Sequence, residues 1–129
     1  MSFSQSLSIA DDMAEEVNKE AREISANLLV GLTRITPLDT GSARGNWFAG
    51  INNPNRDIDL MRKAFAAISD GLAVFSMTKQ IAKQYPTIII SNNLPYIERL
   101  NAGYSEQAPI KFVEKEIDAA VNSRGFNVR

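Results

Sequence analysis

Asp39-Thr40-Gly41 is the string in this chain that most directly suggests chemistry. The same three residue types carry the catalytic carboxylate of aspartic proteases, in which two close aspartates share one proton because neighbouring like charges cannot both ionise. A chain of 129 residues would have to dimerise to bring two such aspartates together. The surroundings argue against it. The protease aspartate follows a hydrophobic strand in an almost all-β chain, whereas Asp39 follows a long amphipathic pattern and Thr36-Pro37. Asp, Thr and Gly are also ordinary turn formers, since Asp accepts backbone N–H bonds and Gly reaches positive φ. A turn is therefore the preferred reading, and a small dimeric aspartic protease is kept as the enzymatic alternative.

Other reactive groups are sparse. The chain has no cysteine and no histidine, which excludes thiolate nucleophiles, imidazole bases and Cys/His zinc sites. Its acids lie along helix faces without the pairing of a glycosidase dyad or an oxygen-ligated metal site. Glu114, Glu116 and Asp118 with Lys111 and Lys115 read as one solvated face. Gly41 and Gly45 lack the Lys-Ser/Thr of a phosphate loop. Trp47, Tyr96 and Tyr104 stand without basic neighbours, so core packing or a subunit contact suits them better than base stacking. The expectation is a protein that is not an enzyme, with no catalytic residue, cofactor or metal.

Charge narrows the partners. Fourteen Lys and Arg oppose fifteen Asp and Glu, and generic nucleic-acid binding needs a basic surplus. No apolar run approaches the ~20 residues that span a bilayer, so no membrane partner is expected. Met1-Ser2-Phe3-Ser4 lacks the basic start of a secretion signal, which points to the cytoplasm.

The elements that must position these residues are legible from periodicity. Ser8 and Asp11 form a helix-start pattern. Met13, Val17, Ala21, Ile24, Leu28, Leu32 and Ile35 then recur every three or four residues, with Glu15, Glu16, Lys19 and Glu20 opposite. A helix over about 8–35, ended by Pro37, would be ~42 Å long. A compact domain of this size has a radius of gyration of only ~14 Å. Either the helix bends near Gly31 or one end overhangs and packs on a neighbour. Trp47, Ala49 and Ile51 alternate as a half-buried strand would. Met61, Phe65, Ile68, Leu72 and Phe75 mark a second helix. Ile88-Ile89-Ile90 reads as an interior strand, and a third strand has room between Val74 and Gln84. A short helix follows over Tyr96 to Leu100. Pro109 opens a last helix with Ile110, Val113, Ile117 and Val121 toward the core. The fold class expected is α+β: one domain over 1–129, with a long N-terminal helix, a body over 36–121 whose small, mainly antiparallel sheet is packed by a middle and a C-terminal helix, and a loose tail from 122.

Three segments in order resemble one family. Thr36-Pro37-Leu38-Asp39-Thr40-Gly41, then Arg44 and Trp47, is similar to a Thr-Pro-x-Asp-Thr-Gly turn with a basic residue and a tryptophan opening a strand. Ile88-Ile89-Ile90-Ser91-Asn92-Asn93-Leu94-Pro95-Tyr96 is similar to a strand followed by Asn-x-x-Pro-Tyr. Gly103-Tyr104-Ser105-Glu106-Gln107-Ala108-Pro109 is similar to a segment leading into a last helix. The family is that of tail-completion and neck proteins of long-tailed bacteriophages, related to lambda minor tail protein Z. Ser42 stands where the family often has Arg, and Asn101 where it often has Glu.

The resemblance implies a structural virion protein, a subunit of an oligomeric ring at the head-tail junction around the DNA channel. It would be made in the host cytoplasm and carried in the virion neck or tail. Its implied partners are further copies of itself, the connector or stopper, and the tail terminator or tail tube, with genomic DNA passing through the lumen unbound. Gly41 and Gly103 would supply positive φ, Pro95 and Pro109 would fix turns, and Asn92 or Asn93 would bond its own turn. Near-neutral charge suits a wall that DNA must pass without sticking. The expected subunit contact is the acidic overhang of the first helix (Met13, Glu16, Val17, Glu20) against Trp47, Tyr96, Tyr104 and the segment to Gln107. A cytoplasmic protein-binding module that docks through an exposed helix is the other alternative.

Overall fold

Helix α1 (Phe3–Ile35) is the frame on which the rest of the chain is laid. The structure, a computed structural model, describes residues 3–37, 42–80, 86–103 and 108–122, without the side chains of 3–14 and 80. At ~1.5 Å per residue, α1 is about 50 Å long. It starts at Phe3, so Ser8 lies inside the helix and does not cap it. Gly31 does not interrupt it. It ends before Pro37, with the Thr36 N–H still bonded to the Leu32 carbonyl at 3.1 Å.

The chain continues through a short α2 (Ser42–Gly45), strand β1 (Trp47–Ile51) and α3 (Ala64–Ser76), which tightens into a 3-10 turn over Met77–Gln80. Strand β2 (Ile88–Asn92), a short α4 (Ile97–Asn101) and α5 (Phe112–Asn122) complete it. β1 and β2 are antiparallel, with Trp47 opposite Asn92 and Ile51 opposite Ile88. The fold is α+β, a small antiparallel sheet packed by helices. The room left for a third strand is helical from Val74 to Gln80, and 81–84 lies outside the described residues. Among the described residues β2 pairs only with β1, and all five of its residues are half-buried, so it is not the interior strand that its composition suggests.

The core gathers Leu29 and Leu32 of α1, Trp47 and Ala49 of β1, Phe75 of α3 and Phe112 of α5. Leu29 and Phe112 are fully buried, each stabilising the fold by roughly 1.5–3 kcal/mol relative to exposure. Two contacts fix how α3 lies on α1. Gly71 faces Leu29, and Arg22 Nη1 donates to the Thr78 hydroxyl at 3.2 Å, so the helices run antiparallel. Glu116 of α5 rests on Gly31.

Three helices are rotated from their expected phase. On α3 the buried positions are Ala67, Gly71 and Phe75, while Met61, Phe65 and Leu72 are exposed. Small residues face α1 because the two backbones approach closely; a Cβ at Gly71 would strike the Leu29 side chain. On α1 the buried face is Asn18, Ser25, Leu29, Leu32 and Thr33, leaving Val17 51% exposed. Polar residues are tolerated there because they find partners, as Thr33 does by donating to the Leu29 carbonyl at 2.8 Å. On α5, Phe112 and Ala120 are buried, Ile110 is exposed, and Glu116 is half-buried rather than part of a fully solvated face.

Candidate functional site

The Thr-Pro turn is a structural lock. The Thr36 hydroxyl donates to the Leu32 carbonyl at 2.5 Å and accepts from the Trp47 indole N–H at 2.8 Å. Arg44 Nε donates to the Thr36 carbonyl at 2.6 Å. One residue thereby ties the end of α1 to α2 and β1. Trp47 is 4% exposed. It belongs to the core and not to a subunit contact, because its ring fills the space between α1 and the sheet and its only polar atom is already bonded. Asp39, Thr40 and Gly41 lie outside the described residues, as do Tyr104 and Gln107.

The second and third segments also hold turns. Asn92 accepts from the Leu94 N–H at 3.2 Å, the bond across its own turn, and donates to the Ala43 carbonyl at 2.9 Å. Pro95 lies in the turn closed by the Ile97 N–H on the Leu94 carbonyl, and Tyr96 is half-buried at the head of α4. Gly103 has φ 99° with the Ile110 side chain over it, a conformation that a β-carbon disfavours. Pro109 is exposed and precedes α5 by three residues, so it does not form that helix's first turn. Asn101 does the capping instead. Its side-chain oxygen accepts from the Val113 N–H at 2.9 Å and its carbonyl from the Lys111 N–H at 2.6 Å.

A loop between β1 and α3 carries an assembly of bonds with no sequence signature. Asn46 donates to the Asp59 carbonyl and accepts from the Asp59 N–H, both at 2.8 Å. Ser42 donates to the Leu60 carbonyl at 3.1 Å. Asn93 donates to the carbonyls of Asn55 at 2.9 Å and Asp57 at 3.0 Å, and Ser91 adds a bond to Asn55 at 2.8 Å. Arg62 closes the loop, donating to the Trp47 carbonyl at 2.8 Å with its guanidinium carbon 4.0 Å from the Phe48 ring centroid. Ile58, Leu60 and Met61 project from this tied backbone into solvent, next to Phe65 on α3, which is 81% exposed.

A second apolar surface lies on α1. Val17, Ala21 and Ile24, with Glu16 and Glu20, line an open groove of about 510 Å³. Glu16, Val17 and Glu20, expected at a subunit contact, are thus brought together, while the side chain of Met13 lies outside the described residues. A smaller polar recess of about 200 Å³ lies between Glu15, Asn18, Arg22, Thr78 and Lys79.

No protein-family model, curated protein or solved structure matches the chain.

Among the described residues no three acids, His or Cys are placed to hold one metal, and no helix is long and apolar enough to cross a membrane. What the arrangement offers chemically is two rigid apolar surfaces on different elements. Sequence reasoning missed the one at Ile58–Phe65, because Met61, Phe65 and Leu72 carry the same spacing as a buried stripe. The polar run Asn52-Asn53-Pro54-Asn55 ahead of it was the available signal that this region begins outside the core.

Proposed function

We propose that this protein is a structural subunit of a tailed bacteriophage, a tail-completion or neck protein that assembles as a ring at the head-tail junction around the DNA channel. One observation carries the reading: the chain exposes two separate apolar surfaces, the α1 groove at Val17, Ala21 and Ile24 and the loop surface at Ile58, Leu60, Met61 and Phe65. A closed ring is built from head-to-tail contacts, and such contacts need two different surfaces on every subunit. The segments that resemble the family support it in a second way. Thr36, Trp47, Asn92 and Asn101 hold turns and helix ends, work suited to a subunit whose task is shape. The balance of fourteen bases and fifteen acids suits a wall beside DNA that gives phosphates little to bind.

Light scattering and negative-stain microscopy of the purified protein, alone and with connector and tail-terminator proteins, test the reading. Rings of one size are expected, along with the protein's presence in purified particles. A chain that remains monomeric at high concentration in every mixture, and is missing from particles, overturns it. The docking-module alternative uses the same α1 groove, and absence from particles would favour it.

A further inference from the structure

The two exposed apolar surfaces differ in shape and in charge. The groove on α1 is concave and its rim is acidic, with Glu16 and Glu20 among its lining residues and Glu15 exposed beside it. The loop surface is convex. Ile58, Leu60, Met61 and Phe65 are 50%, 62%, 81% and 81% exposed, and the charged residues flanking them include Arg56 and Lys63, both exposed. We infer that the Ile58–Phe65 knob of one copy seats in the Val17–Ile24 groove of α1 on the next copy, with Arg56 and Lys63 against the acidic rim.

Three observations lead there. The groove's volume of about 510 Å³ lies in the ~300–1,000 Å³ range of sites that enclose compact apolar groups. The charges at the two rims are opposite, which steers encounter and fixes register. The knob is also organised before any partner arrives. Asn46, Ser42, Asn93, Ser91 and Arg62 tie its backbone from α2, β2 and the loop itself, so little ordering entropy remains to oppose binding. A large aromatic or Met side chain at the centre of a charged rim is the usual composition of an energetically dominant contact. The groove does not pair with itself in this arrangement, since two copies of the acidic rim would face each other.

The inference rests on the ring reading, and a pair of variants separates the two. Val17→Asp spoils the groove and leaves the knob, whereas Phe65→Asp spoils the knob and leaves the groove. Both residues are exposed, so circular dichroism and melting temperature should match wild type. Each variant alone is expected to be monomeric by native mass spectrometry, and an equimolar mixture to form a one-to-one heterodimer that grows no further. Lys63→Glu should weaken that heterodimer several-fold, and Glu16→Lys on the other partner should restore it.

Wild-type rings that persist in Phe65→Asp overturn the knob-in-groove contact and leave the ring reading standing. A mixture that stays monomeric also overturns the contact, as does a groove occupied by another segment of its own chain, which Val17→Asp and Phe65→Asp would report as unequal effects on stability. Wild-type protein that never assembles overturns the ring reading and the contact together.

Discussion

The indole N–H of Trp47 donates to the hydroxyl of Thr36 at 2.8 Å, and that hydroxyl donates in turn to the Leu32 carbonyl. Both residues are buried, so removing one partner strands the other away from water. Thr36→Val should cost about 1–3 kcal/mol in urea unfolding with an unchanged m value. Trp47→Phe should cost a similar amount, part of it from lost volume. The double variant should be less destabilised than the sum, because the second change removes a donor already left without an acceptor.

Arg62 gives a contrast between bonds that matter and one that does not. Its side chain is 7% exposed and donates to carbonyls, whereas its ionic partner Asp70 is 66% exposed at 3.0 Å. Arg62→Met should cost about 2–4 kcal/mol, through a lost charged bond to Trp47 and lost stacking on Phe48. Asp70→Asn should cost less than about 0.5 kcal/mol, as exposed ion pairs do. Equal losses in thermal unfolding would contradict this ordering.

Acid should weaken the junction of α4 and α5. Asn101 Nδ2 donates to both carboxylate oxygens of Glu114 at 3.0 Å. That bond, then the backbone N–H of Glu114, and last the charge of Lys111 hold its pKa below the ordinary 4.5, against a small opposing effect of burial. A carboxylate with a depressed folded pKa binds fewer protons folded than unfolded. Its stabilisation is present above the unfolded value and is lost as pH falls through the folded one. The stability difference between wild type and Glu114→Gln should therefore be constant near neutral pH and shrink below about pH 4.5. An NMR titration of Glu114 should give a midpoint that rises in Asn101→Ala.

Gly103 has φ 99° and carries the Ile110 side chain above it. Gly103→Ala should cost roughly 1–3 kcal/mol from backbone strain. Gly103→Ala with Ile110→Ala should recover only the steric part, because the dihedral remains. Hydrogen exchange at the start of α5 would report the local loosening.

Much of this fold is written in patterns that a single sequence displays. Pro37 ends α1, Trp47 opens β1, and Asn92 turns the chain after β2, because each acts through its own backbone neighbourhood. Helix phase is different. Ala67 and Gly71 are buried on α3 because Leu29 of α1 lies against them, a reason located about forty residues away in the chain. Hydrophobicity weighs large side chains and so pointed Phe65 and Leu72 inward, when their size is what excludes them from a close helix contact. The same holds on α1, where Asn18 and Ser25 are buried and Val17 is not. Of the candidate contact, Glu16, Val17 and Glu20 were legible because acidic and apolar residues share that end of the helix. The knob was not, because Asn46, Asn93 and Arg62 secure it through bonds that span from 13 to 38 residues.

Those bonds bear on how fast subunits can join. A binding loop that folds only on contact makes association wait for a rearrangement, with a rate that saturates as concentration rises. The Ile58–Met61 segment is already fastened at Asn55, Asp57, Asp59 and Leu60. Collision and orientation alone then set the pace, in the range of roughly 10⁵–10⁷ M⁻¹s⁻¹, and subunit supply rather than conformational search would time the closure of a ring.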